Sequence, residues 1–233
     1  MQESKLKQQF DDVFKLTITP AFKGLGFKRK GLHFNRSVND IFQCLNIQKN
    51  KWNSYDESIS FTFNLGFYSG KINSILTVKE DSILSPQVND CFIQGRIGNL
   101  TKRKDHWYEF DNKESFEVIR EQVANHIECF LIPHFEKYNS IEKLVELVEK
   151  NESDRIYMIS PIGKFILLMI TNQKEVATKY IKVEYENALN LQETTQTINY
   201  PNGTSKAYTS KPYVNQAYID LIKKFAKYYG IEL

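Results

Sequence analysis

The stretch "SISFTFNLGFY", residues 58–68, decides the fold. Ile59, Phe61, Phe63, Leu65 and Phe67 alternate with Ser60, Thr62, Asn64 and Gly66. That period of two predicts a strand with one face in the core and one polar face. Strand patterns also flank it, at roughly 27 to 36 and 41 to 49, with "SVND" as the first turn and "NKWNSYDE" as a longer connection. Shorter strand signals follow in "DCFIQGRIG" at 90–98 and "HWYEF" at 106–110.

Helical patterns surround the strands. Phe10, Val13, Phe14, Ile18, Ala21, Phe22 and Leu25 recur at three- and four-residue intervals, so an apolar face runs from about 4 to 25. Pro20 is expected to kink or divide that helix, and Gly26 fits a left-handed cap after it. A second long helix is expected from Lys113, through Phe116, Ile119, Val123, Ile127 and Phe130, with Pro133 bending or ending it. After residue 139 the pattern is mostly helical: Asn139 with Glu142 and Ser160 with Pro161 mark two starts, and further helices are expected at about 173–190 and 213–229. Between those two, "LQETTQTINYPNGTSKAYTSKP" is polar, with a Pro-Asn-Gly turn at 201–203, and reads as an exposed hairpin or a mobile segment. The expected fold is α+β: an antiparallel sheet of about four to five strands with long helices on one face, in a domain over 1–138, then a helical C-terminal subdomain over 139–233.

Bulk properties narrow the class. The 233 residues hold 31 basic and 28 acidic side chains, a net charge of +3. The balance is equally even on each side of residue 138, so neither part is a basic domain. The first ten residues lack the apolar core of a signal peptide, and the longest apolar run, "FILLMI" at 165–170, is too short to cross a bilayer. A cytoplasmic protein with no membrane segment is expected. Cys44, Cys91 and Cys129 are few, odd in number and widely spaced, which argues for small apolar filler rather than a disulfide framework.

Several blocks together carry a resemblance: "GLGFKRKGLHFNR", "FQCLNIQKNKWNS", "FTFNLGFYS", "DCFIQGRIGNL" and "HWYEF", in this order. They resemble the bacterial family called domain of unknown function 4304, over roughly residues 5–138. The resemblance implies an α+β domain and brings no activity, cofactor or catalytic residue with it.

If the strands alternate regularly, Leu32, Phe34, Leu45, Ile47, Phe61, Phe63, Leu65, Ile93 and Ile97 share the side the helices cover. The opposite side then carries His33, Asn35, Asn46, Gln48, Thr62, Asn64, Gln94 and Arg96. Fixed amide donors and acceptors with one permanent cation suit an anionic or amide-rich ligand. His33, Asn35, Gln48, Asn64, Gln94 and Arg96 are therefore the candidate binding residues, with Arg96 as anchor. The alternative is a face that is simply solvated, whose groups satisfy one another across strands, or that the C-terminal helices cover.

Other constellations carry less. The segment 26–54 holds six Lys and Arg against one Asp, including Lys28, Arg29, Lys30, Arg36, Lys49 and Lys51 beside Trp52. Such residues contact phosphates in nucleic-acid sites, but they also cap strand ends and protect sheet edges; "LTKRKDHW" at 100–107 invites the same two readings. His126, Cys129 and His134 are metal-capable and close in sequence, yet Pro133 breaks their helical register. A Cys44 nucleophile beside His33 has no supporting motif, and the glycines form no phosphate loop. Acidic pairs at Asp11/Asp12, Asp56/Glu57 and Glu80/Asp81 read as solvated charge. The leading expectation is a non-enzymatic module that binds a protein or peptide partner, in a toxin-neutralising or other accessory role. An enzyme or sensor for a small anionic ligand, using Arg96 and His33, stands second. Nucleic-acid binding through the basic strand ends stands third, and no metal or cofactor is expected.

Overall fold

The structure is a computed structural model, and it describes residues 4–77, 83–103, 105–111, 116–154, 156–200 and 203–233. In chain order its first compact unit contains α1 (Lys5–Asp12), a π-helical stretch (Val13–Ile18), α2 (Thr19–Gly24), β1 (Lys28–Lys30), β2 (His33–Val38), β3 (Ile41–Lys49) and β4 (Ile59–Tyr68). It continues with α3 (Gly70–Thr77), a 3-10 turn (Val88–Asp90), β5 (Ile93–Arg96), α4 (Ile97–Leu100) and β6 (Tyr108–Phe110). Then come α5 (Phe116–His126), a second π-helical stretch (Ile127–Leu131), α6 (Ile132–Lys137), α7 (Ile141–Asp154) and β7 (Tyr157–Ile159). The expected helix start at Lys113, the Glu80/Asp81 pair and residues 201–202 of the Pro-Asn-Gly turn lie outside the described residues.

Both long helical segments pass through their prolines. Each places a π-helical stretch immediately before the turn that carries proline, Val13–Ile18 before Pro20 and Ile127–Leu131 before Pro133. Proline has no N–H for the preceding turn and its ring crowds the carbonyl four residues back, so a widened turn absorbs the mismatch without ending the helix.

The antiparallel sheet runs β1-β2-β3-β4-β5-β7, with β6 pairing the other end of β4. Among the described residues it has seven strands, which corrects the expected four to five. Two additions explain the difference. Gly31, at φ +60°, turns the chain back so that Lys28–Lys30 pairs with His33–Asn35 as a separate strand. The three residues of β7 pair with β5 inside a region whose periodicity reads as helix, and three residues are too few to show an alternation of their own.

One face of the sheet is the core. Phe61, Phe63, Leu65, Phe67, Leu45, Ile47, Phe34 and Ile93 are at most 1% exposed. Phe10 meets Phe61 edge-on at 5.4 Å, Phe22 packs on Phe34 and Phe135 on Phe67, so the helices before and after the strands cover the same side. Gln43 is a polar exception there: it is fully buried, its amide donates to the carbonyls of Phe135 and Tyr138, and its Oε1 accepts from Arg36 Nε.

The chain divides into compact units at Leu167/Leu168, within α8 (Pro161–Ile170), whereas the sequence pattern changes at 138/139. The physical reason is that β7 and the turn after it are built into the sheet. Tyr157 lies over Gly95, where an added Cβ would come within 2.7 Å of its ring, and the Ser160 amide donates to the Phe92 carbonyl at 2.8 Å. The second unit, Leu168–Leu233, pairs α9 (Lys174–Leu189) with α10 (Gln216–Tyr228). Ala177, Ile181, Ile219, Ile222 and Phe225 are among its buried side chains, and Tyr218 donates to Glu184 at 2.9 Å. It also contains a hairpin, β8 (Thr195–Asn199) with β9 (Ser205–Thr209), so this part is not wholly helical.

Candidate functional site

Strand register builds the site. His33 of β2 pairs with Asn46 of β3, Asn46 with Asn64 of β4, and Asn64 with Arg96 of β5. These four side chains form one rung straight across four strands, on the face away from the helices. The next rung is Asn35, Cys44, Gly66, Gln94 and Met158, and on the other side Gln48 pairs with Thr62.

The rung is hydrogen bonded along its length. The Asn46 amide donates to His33 Nδ1 at 3.2 Å, so in neutral His33 the proton sits on Nε2. The Asn64 amide donates to Gln48 Oε1 at 2.8 Å and to Asn46 Oδ1 at 3.3 Å. Arg96 Nε donates to Asn64 Oδ1 at 3.1 Å and Nη2 to Gln48 Oε1 at 3.1 Å. Its Nη1 holds Asp105 at 2.6 Å, and its guanidinium lies over the Trp107 ring at 5.6 Å. Arg96 is thus fixed by a chain of amides on one side and by an aromatic face on the other. Because the Asp105 side chain is 58% exposed, that ion pair is solvent-screened and contributes little to stability.

A pocket of about 380 Å³ opens over this face. His33, Asn46, Gln48, Asn64, Gln94 and Arg96 form its polar floor; Val88 and Asn89 stand on one side, Asn99, Ile156 and Met158 on the other. Five of the six residues expected from the sequence therefore converge. Asn35 does not: it is buried, and its amide donates to Ser85 Oγ at 2.9 Å and the Pro86 carbonyl at 3.2 Å. The segment before the 3-10 turn covers that end of the face, which corrects the expectation that Asn35 is available. Thr62 is likewise fully buried.

Sequence reasoning left out Asn89, Asn99, Ile156 and Met158, which reach the pocket from the 3-10 turn, from α4 and from β7 with the residue before it, where no strand alternation is legible. It also missed Trp107 and Asp105. Trp107 was findable, because alternation in "HWYEF" places it opposite the buried Tyr108, hence toward the polar face.

The remaining constellations separate. Arg29 lies over Phe14, Arg36 over Phe27 and Lys49 over Phe10, at 4.2 to 5.2 Å, so much of the basic cluster shields the rim of the aromatic core. Arg36 also pairs with Glu136. His126 Nδ1 meets the Tyr108 hydroxyl at 2.7 Å, His134 meets the Tyr157 hydroxyl, and Cys129 is exposed beside Asn125. They do not face a common centre. Burial, reinforced by Lys137 and Lys150, pulls the His134 pKa from 6.5 down to about 4. Burial, with His126 and Arg103, takes His106 to about 4 as well. No described helix is long and apolar enough to cross a membrane.

Fold and site define a class: an α+β domain whose antiparallel sheet hides one face under helices and opens the other as an amide-lined pocket. The sequence profile described as Domain of unknown function (DUF4304) matches residues 18–137, more than half of the chain, and the protein belongs to that family. No curated protein and no solved structure matches the chain.

Proposed function

We propose that the pocket over the His33–Asn46–Asn64–Arg96 rung binds a small polar ligand that presents acceptor oxygens, a carboxylate above all, and that the protein is a ligand-binding module. One observation carries this: donors remain after the rung has satisfied itself. Among the described residues, Gln48 Nε2 has no hydrogen-bond partner, one N–H on each terminal nitrogen of Arg96 is uncommitted, and the Nε2–H of neutral His33 meets no acceptor. Prepositioned donors around one guanidinium select an oxyanion or carbonyl and fix its orientation.

The volume suits one small molecule better than an extended partner, which moves the small-ligand reading ahead of the protein or peptide reading. A peptide partner keeps one observation in its favour: Met158, 74% exposed, projects beside the pocket from the edge strand β7. Nucleic acid falls behind both, because three of the basic side chains lie over aromatic rings of the domain itself.

The test is ligand-observed NMR with a panel of small carboxylates, primary amides and neutral isosteres against the protein and Arg96→Ala. Carboxylates should bind the parent and lose binding to the variant. A panel with no hits, or hits indifferent to Arg96, overturns the proposal.

A further inference from the structure

We propose that Cys44 and Cys91 form a dithiol site that closes into a disulfide, fastening the segment before β5 to the sheet beside the pocket. Cys44 lies directly across the ladder from Gly66, on the same face. A Cβ built on Gly66 would sit 2.8 Å from both the Cβ and the Sγ of Cys91, so Cys91 fills the space a Gly66 side chain would take. Cβ positions on opposed residues of such a ladder lie about 5 Å apart, which brings Cys91 over the position next to Cys44. The two cysteines belong to one small buried cluster on that face. Both are anchored on one short segment, Cys44 Sγ at 3.4 Å from the Pro86 carbonyl and Cys91 Sγ at 3.3 Å from the Gln87 carbonyl. They share a cluster with Tyr68 and Val88, and no other described cysteine is near: Cys129 is exposed on the second long helical segment. Packing filler would not need both thiols anchored on carbonyls of the same segment.

The chemistry requires a small-molecule disulfide as oxidant. Cys91, the less buried of the two at 6% exposure against 0%, loses its proton to solvent and attacks one sulfur of that disulfide. The oxidant's S–S bond breaks, one thiolate leaves and takes up a proton, and a mixed disulfide remains on Cys91. Cys44 then loses its proton and attacks Cys91 Sγ, forming the Cys44–Cys91 bond and expelling the second thiol. Two cysteines are oxidised by two electrons and one small disulfide is reduced to two thiols. Burial holds the Cys91 thiol above its ordinary pKa, so exchange is slow and depends on opening of the covering segment. Val88 and Asn89 lie between the anchoring carbonyls and Cys91, so the bond fixes one wall of the pocket.

The test uses the full chain with Cys129→Ser, incubated with oxidised glutathione, without denaturant and in low urea that lets the segment open. Thiols are titrated in strong denaturant, intact mass is measured, and peptides are mapped without reduction. The expected result is a fall from two thiols to none, a mass loss of two hydrogens with no adduct, and one linked peptide containing Cys44 and Cys91. Reductant should reverse all three, and the unfolding midpoint should rise in the oxidised form. Stable glutathione adducts on either cysteine, or two thiols persisting under both conditions, overturn the proposal.

Discussion

Arg96 Nε donates to Asn64 Oδ1 at 3.1 Å across a pair of directly opposed sheet residues. Asn64 passes the contact on to Asn46 and Gln48, so the pocket's one lining guanidinium is held by side chains from two neighbouring strands. A donor array fixed before a ligand arrives loses little entropy on binding, which makes Arg96 the residue whose removal is most informative.

Arg96→Ala should abolish carboxylate binding in the NMR panel while shifting stability by less than about 1 kcal/mol, since its ion pair is exposed. Arg96→Lys should restore little, because an ammonium cannot reach Asn64, Gln48 and a ligand through a planar fork. Urea unfolding beside the binding measurement separates the two effects.

Asn35→Ala should behave in the opposite way. Its buried amide holds Ser85 and Pro86, so truncation should cost about 1 to 3 kcal/mol. The pocket should still bind the same panel under conditions where the variant is folded.

Acid should destabilise the protein through His134. Its folded pKa, about 4, lies below the unfolded value of 6.5. Between these values the unfolded chain binds protons that the folded chain refuses, so stability is fully present above pH 6.5 and is lost as pH falls toward 4. His134 alone should account for about 2 kcal/mol between pH 7 and pH 5. Urea titrations at the two pH values, compared with His134→Gln, should show a smaller pH effect in the variant.

Truncation should distinguish the two boundaries. Residues 1–167 retain β7 and should unfold cooperatively, whereas 1–138 leave the β5 edge unpaired and Gly95 without Tyr157. Thermal melts of both should give a lower or broader transition for the shorter chain. Gly95→Ala in the full chain should also destabilise, because its Cβ meets the Tyr157 ring.

The amino-acid order by itself determined the local elements and the two faces of the sheet. The alternation at 59–67 separates Phe61, Phe63 and Leu65 from Asn64 through the side-chain period of a strand, and the apolar stripes around Phe10 and Ile119 mark the covering helices. Five of the pocket's polar residues were legible for that reason. Tertiary structure decided which of the polar positions remain open. Asn35 and Asn46 belong to the same alternating face, yet the Ser85–Pro86 segment covers one and leaves the other in the pocket. It also decided the sheet's last strand, the pairing of Arg96 with Asp105, and the meeting of Cys44 with Cys91. Each joins residues whose separation in sequence carries no periodic signal, and only the packing of turns against the sheet sets those distances.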